Sequence, residues 1–429
     1  MLSKVLHLEK YISMRKDDFM FQHPKMRHVY VGADIHRKTH TATIINCFFE
    51  KLGEITFENK PSGFEKLLKE VKKHTIEGVT PLFGLEDVIA SGREFAMFLI
   101  EKGYPVKYVN ASLTHSERKN QSTLHKTDSF DSLCVAKVLL SKMDELPDAK
   151  PDDTYWALTE LVTKRRALVK ACVVLKNQLH NYLIHHYPSY KSFFAVFESQ
   201  TSLAFYENYP SPSKLKDVPV KELGEFLQKY SHNFYNEKKA KELLALIEKD
   251  GDTTKEYQDV RDFIVTTSIK QLKENLKTIK GLEEQLKILL TKFDYKLETM
   301  KGINYVTAAA IIGEVGDINR FANAGKLATY AGISPIQYSS GQTDKNFSNK
   351  RGNRNLHQIF FFLAVSLCTE HGTKGKPYNP ILAEYYKKKI SQGKTKKQAL
   401  KCVMRRLINI IFRMMKDKTE YREPQPKMS

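Results

Sequence analysis

The chain has 429 residues, 41% hydrophobic and 11% aromatic, enough length and apolar content for two or three packed domains, which excludes a disordered or fibrous chain. Lys and Arg number 69 against 49 Asp and Glu, and the resulting formal charge of +20 points to a polyanionic partner, of which nucleic acid is the commonest. Cys47, Cys134, Cys172, Cys368 and Cys402 lie far apart without a C-x-x-C pair, which argues against a zinc finger or a disulfide framework, and no apolar run reaches the roughly 18 residues of a membrane span. The charged N-terminus lacks the apolar core of a signal peptide, so a cytoplasmic protein without a membrane partner is expected.

Residues 1–27 are polar and Met-rich and are read as a leader. From His28 the pattern sharpens. "HVYVGADIH" predicts a strand ending near Asp34, and "HTATIINCFFE" and "LGEITFEN" predict two more with a turn around Gly53. "GFEKLLKEVKKH" has helical spacing, "VTPLFGLEDV" is a strand ending near Glu86, and "REFAMFLIEKG" is a helix closed by Gly103. "YPVKYVN" follows as a strand and Asp128 to Lys142 as a helix. The order β-β-β-α-β-α-β-α predicts a mixed α/β domain over 28–150.

Beyond Pro151 the strand signals stop. Residues 151–299 read as long helices (153–187 and 253–300) around a Tyr-, Lys- and Pro-rich insert near 188–250. Leu272, Leu276, Ile279, Leu282, Leu286, Leu289, Phe293 and Leu297 recur every three or four residues, which fits either a coiled-coil seam or the buried face of an antiparallel hairpin. Residues 300–429 form a third, mainly helical block. "KGINYVTAAAIIGEVGDI" resembles a helix-hairpin-helix element, whose turn presents N–H groups to phosphate. The block ends in an amphipathic basic helix with twelve Lys or Arg and one acid, Asp417, between Lys387 and Lys418.

In "KTDSFD" two carboxylates stand three residues apart in a basic chain, and either a helix start or a ligand pair explains them. Asp34 and Glu86 close two predicted strands, where ligands of sheet-containing domains gather, and Asp128 and Asp131 share one helical face. Four hard oxygen donors in a nucleic-acid-binding chain suit Mg²⁺ (or Mn²⁺) rather than zinc. Two such ions could clamp both oxygens of a phosphodiester. His36 and Asp87 adjoin these residues, and the sequence assigns neither a role.

"VGADIH", "GLED" and "KTDSFDSL" resemble the Asp-Glu-Asp-Asp signature of a RuvC-type, ribonuclease-H-like nuclease domain. More narrowly they resemble the DEDD-type transposases of bacterial insertion sequences, the IS110 family, which also includes site-specific DNA invertases. The stretch from "KGINYVTAAAIIG" to "KRGNRNLHQIFFFLA" is similar to that family's C-terminal transposase domain. The resemblance implies an α/β plus α protein that joins donor and target DNA, with a non-coding bridge RNA as guide and a homodimer or homotetramer as the working form. It also implies a catalytic serine directly before a Gly, after a Gly-x-x-Pro turn. Here that turn is Gly332 to Pro335 and the match falls on Ser340, with Ser339 as a flanking alternative.

Chemically, a serine can attack a phosphodiester when its hydroxyl is activated and the leaving oxygen stabilised. The residues read as nucleic-acid contacts are Lys164, Arg165, Arg166, Lys350, Arg351, Arg354, Arg405 and Arg406, with the Lys387–Lys389 run beside them; for any one of them a solvated surface is the competing reading. The functional alternatives are an invertase of the same family, a RuvC-like junction nuclease that needs no Ser340, and a binding protein that has lost catalysis.

Overall fold

The computed structural model describes residues 23–88, 90–120, 127–149, 153–340, 343–347, 349, 352–371 and 375–423, and these divide into two compact units, the first ending at Trp156 and the second beginning at Ala157.

The first unit is built on a five-stranded mixed sheet in the order β3-β2-β1-β4-β5. β1 (His28–Ile35), β2 (Thr39–Ile45) and β3 (Lys51–Glu58) form an antiparallel meander, while β4 (Thr80–Leu85) and β5 (Val106–Tyr108) run parallel to β1. Buried apolar side chains alternate to both faces of the central strands, so each face needs a cover. α1 (Pro61–Lys73) and α2 (Arg93–Glu101) cover one face, where Phe57, Phe64, Phe95 and Leu99 meet. α4 (Asp128–Lys142) covers the other through Val135, Val138 and Leu139 against Tyr30, Ile45 and Leu82. Between β5 and α4 lies α3 (Ala111–Asn120), which sequence reading missed because "ASLTHSERKN" has almost no apolar face.

The turn expected at Gly53 is displaced. The chain reverses at Asn46, whose Oδ1 accepts from the N–H groups of Phe48 and Glu50 at 2.9 and 3.0 Å, an Asx-type turn. Gly53 lies inside β3, where a Cβ would stand 2.7 Å from the His74 ring, so its glycine serves close packing rather than a bend.

The second unit is helical apart from short hairpins. α5 (Asp153–His186) and α9 (Gln258–Leu290) run antiparallel: Arg165 pairs with Glu283, and Thr253 Oγ1, just before α9, donates to the His186 carbonyl at 2.7 Å. The segment read as an insert folds as α6 (Gln200–Asn208), α7 (Val220–Tyr230) and α8 (Glu237–Asp250). Leu203, Phe205, Leu223 and Leu243 of these helices share a core with Leu175, Leu179 and Leu183 of α5 and with Leu272 and Ile279 of α9. This half of the leucine stripe is therefore occupied inside the chain, which decides for the hairpin face there. α9 stops at Leu290, ten residues short of the expected end at 300, and Leu297 sits in a separate 3₁₀ turn.

The C-terminal part comprises α10 (Tyr305–Val315), α11 (Ala324–Tyr330), a hairpin of β6 (Ile336–Ser340) and β7 (Thr343–Phe347), α12 (Arg354–Cys368), a short pair of β8 (Glu370–His371) and β9 (Lys376–Pro377), α13 (Pro380–Ser391) and α14 (Lys396–Asp417). α14 is the expected amphipathic helix. Its start is fixed by a capping box of Thr395 and Gln398, and Val403, Leu407, Ile411 and Met414 are buried along one face.

Candidate metal centre

Ala33 of β1 pairs with Leu85 of β4 in parallel register, so the next residues, Asp34 and Glu86, emerge side by side at the carboxyl ends of adjacent strands. α4 reaches the same edge because it lies directly on β1. A Cβ at Gly32 would meet Ala136 N at 2.1 Å and Ser132 O at 2.5 Å, so only glycine admits the helix backbone there. Ser132 Oγ and Thr43 Oγ1, 2.7 Å apart and buried, tie the helix to β2. Thr127 is the N-cap, its hydroxyl accepting from Phe130 N at 3.2 Å. The N-cap role in "KTDSFD" thus belongs to Thr127, while Asp128 and Asp131 stand in the first helical turn, where the helix dipole also favours acids.

Asp34, His36 and Asp128 each offer a ligand atom within 4.8 Å of the others. His36 Nδ1 stands 3.6 Å from Asp34 Oδ2, and its Nε2 stands 3.9 Å from Asp128 Oδ1. Asp34 is buried, and among the described residues its Oδ2 has no hydrogen-bond partner. Burial, chiefly, pushes its carboxyl from 3.8 up to about 6; His36 opposes this, and Asp131, Glu86 and Asp128 add to it. A buried carboxylate oxygen without a donor, facing three further carboxylates, is a set that a hard divalent cation satisfies. Mg²⁺ and Mn²⁺ fit these donors.

Glu86 and Asp131 are held by α3. Thr114 donates its hydroxyl to Glu86, and Arg118 Nε lies 2.9 Å from Asp131 Oδ1 as an ion pair without an aligned hydrogen bond. Neither Thr114 nor Arg118 was foreseen; the only signal was their i, i+4 spacing on a helix that looked like a loop. His36, left without a role, does enter the cluster. Its backbone N–H donates to His40 Nδ1 at 3.3 Å, and burial lowers the His40 pKa, keeping that ring neutral and able to accept. Asp87 points elsewhere and accepts from Ala90 N and Ser91 N at 2.8 and 2.7 Å, shaping the loop into α2.

Ser340 is the last residue of β6, paired with Thr343 across the turn. Gly332, with φ +68°, and Gly352 are backbone neighbours: a Cβ on Gly352 would stand 2.1 Å from Gly332 N. Asn353 bonds Glu314, Tyr330 and, as N-cap of α12, Leu356 N. Lys350 and Arg351 lie outside the described residues. Arg354 and Lys164 are exposed, and Arg166 donates to Asn355 at 3.1 Å. Arg165 is engaged by Glu283 at 2.7 Å, Arg405 by the Ala324 carbonyl at 3.0 Å, and Arg406 stacks on Tyr385 at 4.6 Å.

Residues 31–188 match the DEDD transposase profile of the IS110 type, and residues 294–387 match the transposase profile of the IS116/IS110/IS902 family. The chain is 22% identical to the 44.8 kDa protein of insertion element IS116 from Streptomyces clavuligerus, covering 93% of this chain and 97% of that one. It is 26% identical to the 43.6 kDa protein of IS110 from Streptomyces coelicolor over 70% of this chain and 73% of the relative. It is also 22% identical to the pilin gene-inverting protein of Moraxella lacunata, over 91% and 97%. With an acidic cluster at the strand ends of a mixed sheet and both profiles in this order, the class is a DEDD-type transposase. The chain belongs to the IS110/IS116 family of insertion-sequence transposases.

Proposed function

We propose that this transposase cuts and rejoins DNA with a divalent cation held by Asp34, Glu86, Asp128 and Asp131, and with Ser340 as the nucleophile. The observation that carries the metal reading is the buried Oδ2 of Asp34, without a hydrogen-bond donor among the described residues, beside Asp128, Asp131 and Glu86. Bound there, Mg²⁺ or Mn²⁺ supplies charge stabilisation at the reacting phosphodiester oxygens. Thr114 orients Glu86, Arg118 is paired with Asp131, and His36 stands between Asp34 and Asp128. Ser340 Oγ gives up its proton and forms an ester bond to phosphorus as the strand's P–O bond breaks, releasing a strand hydroxyl. Attack by a hydroxyl on that ester restores the serine and joins the strands.

Choosing the DNA ends is assigned to a bridge RNA that pairs with donor and target, and the charge of +20 supports a large polyanionic surface. The working form is taken to be a homodimer or homotetramer, and the sheet unit to be RuvC-like; its strand order and the DEDD profile support the latter. The invertase reading keeps support from the Moraxella relative, and the DNA flanking the gene separates the two.

In a plasmid recombination assay, Asp34→Ala, Glu86→Ala, Asp128→Ala and Asp131→Ala are each expected to lose about a thousandfold in strand exchange while retaining DNA binding. Full activity in any of them counts against the metal centre. Denaturant trapping is expected to yield a DNA–protein adduct in Ser339→Ala but none in Ser340→Ala; an adduct in the latter removes the serine assignment. Correct site choice by ribonuclease-treated protein free of RNA overturns the guide.

A further inference from the structure

The helical core made by α5 and α6 contains a cavity of about 140 Å³ that the transposition chemistry does not use. Its wall includes Tyr190, Phe197 and Tyr206, with His180, Ser202 and Lys191. The His180 ring lies 4.6 Å from Phe197 and 5.6 Å from Tyr190, and Phe197 lies 5.8 Å from Tyr206. Ser202 is fully buried, yet its hydroxyl has no partner among the described residues, and neither does the buried Nδ1 of His180. A helical serine usually returns its hydroxyl to the preceding turn, and a buried polar atom left unpaired is costly unless something else bonds it. Exposed Lys191 stands at the mouth, its Nζ 6.0 Å from the Tyr190 ring centre. Burial, then Lys191 and Lys176, lowers the His180 pKa, so the ring is neutral and can both donate and accept.

The geometry points to a binding pocket for one unstacked pyrimidine of a single-stranded nucleic acid, with the base among Tyr190, Phe197 and Tyr206, its polar edge on Ser202 and His180, and its phosphate near Lys191. Size suits the base: a hydrocarbon-lined cavity of about 150 Å³ takes up one benzene ring, so this one, at about 140 Å³, matches a single six-membered ring better than the larger purine. The aromatic walls supply the stacking that holds flipped bases, and the two orphan polar atoms supply the edge contacts that tell a pyrimidine from a plain apolar ring. The pocket rests on the nucleic-acid partner of the family and is independent of the acidic cluster.

Fluorescence anisotropy of the full chain with short oligo(U), oligo(dT), oligo(A) and oligo(dA) tests it. Phe197→Ala and Ser202→Ala are each expected to weaken pyrimidine strands about tenfold and to leave purine strands unchanged. Ser202→Ala removes an unsatisfied hydroxyl, so its melting temperature stays level or rises, and lost binding there cannot be ascribed to unfolding. Pyrimidine binding is expected to be the same with and without EDTA, so failure of the metal centre leaves this result standing. A loss confined to oligo(U) assigns the pocket to RNA, one confined to oligo(dT) to DNA, and a loss on both to the base alone. Unchanged pyrimidine affinity in both variants, or equal loss on purines and pyrimidines, overturns the proposal.

Discussion

At the scale of single residues, Asp34 is the group through which the site reports on itself. Its carboxyl is raised from 3.8 to about 6, so the fold favours its neutral form. The stability this contributes is complete below about 3.8 and is lost as pH rises through about 6. Metal-free protein therefore melts lower at pH 7 than at pH 5 through this group, and Asp34→Asn, uncharged throughout, melts higher at pH 7 by on the order of several degrees. Mg²⁺ or Mn²⁺, bound as proposed, is expected to stabilise the parent more at pH 7, where no proton competes, and to leave the Asn variant unmoved. Thermal melts across this range check it; an Asn variant that melts lower at pH 7 contradicts the origin given for the shift. In the proposed metal centre Arg118 would compete with the cation for Asp131, whose Oδ1 lies 2.9 Å from its Nε. Arg118→Ala is accordingly expected to bind Mn²⁺ on the order of tenfold more tightly by calorimetry. Weaker binding instead makes Arg118 a support for the ligand.

Elements carry the site through one close approach. α4 rests on β1 at Gly32 with backbone against backbone, whereas the atoms nearest a Cβ at Gly84 on β4 are side-chain carbons of Leu139 and Val109 at 3.1 Å. A methyl at Gly32 lifts the helix that bears Asp128 and Asp131; a methyl at Gly84 asks two flexible side chains to shift. Gly32→Ala is expected to cost about 1–3 kcal/mol, the range of overpacking, and to abolish the metal-induced rise in melting temperature. Gly84→Ala is expected to cost about 1 kcal/mol or less and to keep that rise. Comparable losses in the two variants contradict this account of how α4 is seated. α3 matters as much despite its poor amphipathicity, since it alone delivers Thr114 and Arg118 to the acidic edge.

For the whole molecule, charge separates into a part that builds the fold and a part that faces outward. Arg165 is paired with Glu283, which also accepts from Tyr305 at 2.9 Å, and so it ties α5 to α9 and α10. Lys164, one residue earlier, is exposed, as is Arg354 at the start of α12. Neutralising a phosphate contact lowers the slope of log affinity against log salt by about 0.9 for duplex DNA. Lys164→Ala and Arg354→Ala are each expected to reduce the slope by about that amount without moving the melting temperature. Arg165→Ala is expected to lower the melting temperature and leave the slope unchanged. The opposite pattern shows that the outward charge has been misplaced.

Sequence alone determined the features that rest on local periodicity and on side-chain chemistry. β1, β4, α4 and the amphipathic α14 follow from alternating or three-to-four spacing, and the limits of α4 coincide with those read from the sequence. Asp34, Glu86, Asp128 and Asp131 could be proposed because acids near predicted element ends stand out in a chain of +20 and because their motifs resemble the Asp-Glu-Asp-Asp signature. Tertiary structure alone decided which groups attend them. Thr114, Arg118 and His36 are ordinary residues until β1, β4 and α4 bring them to one edge, and nothing local marks them. The leucine stripe was ambiguous for the same reason: spacing states that one face is apolar, but only the core shared with α5 states what covers it. A single polar turn likewise misled at Gly53, where His74, distant in sequence, explains the glycine that a local reading assigned to a bend. Periodicity is a property of neighbours along the chain, whereas ligand sets and covered faces depend on contacts across it, and those exist only once the chain has folded.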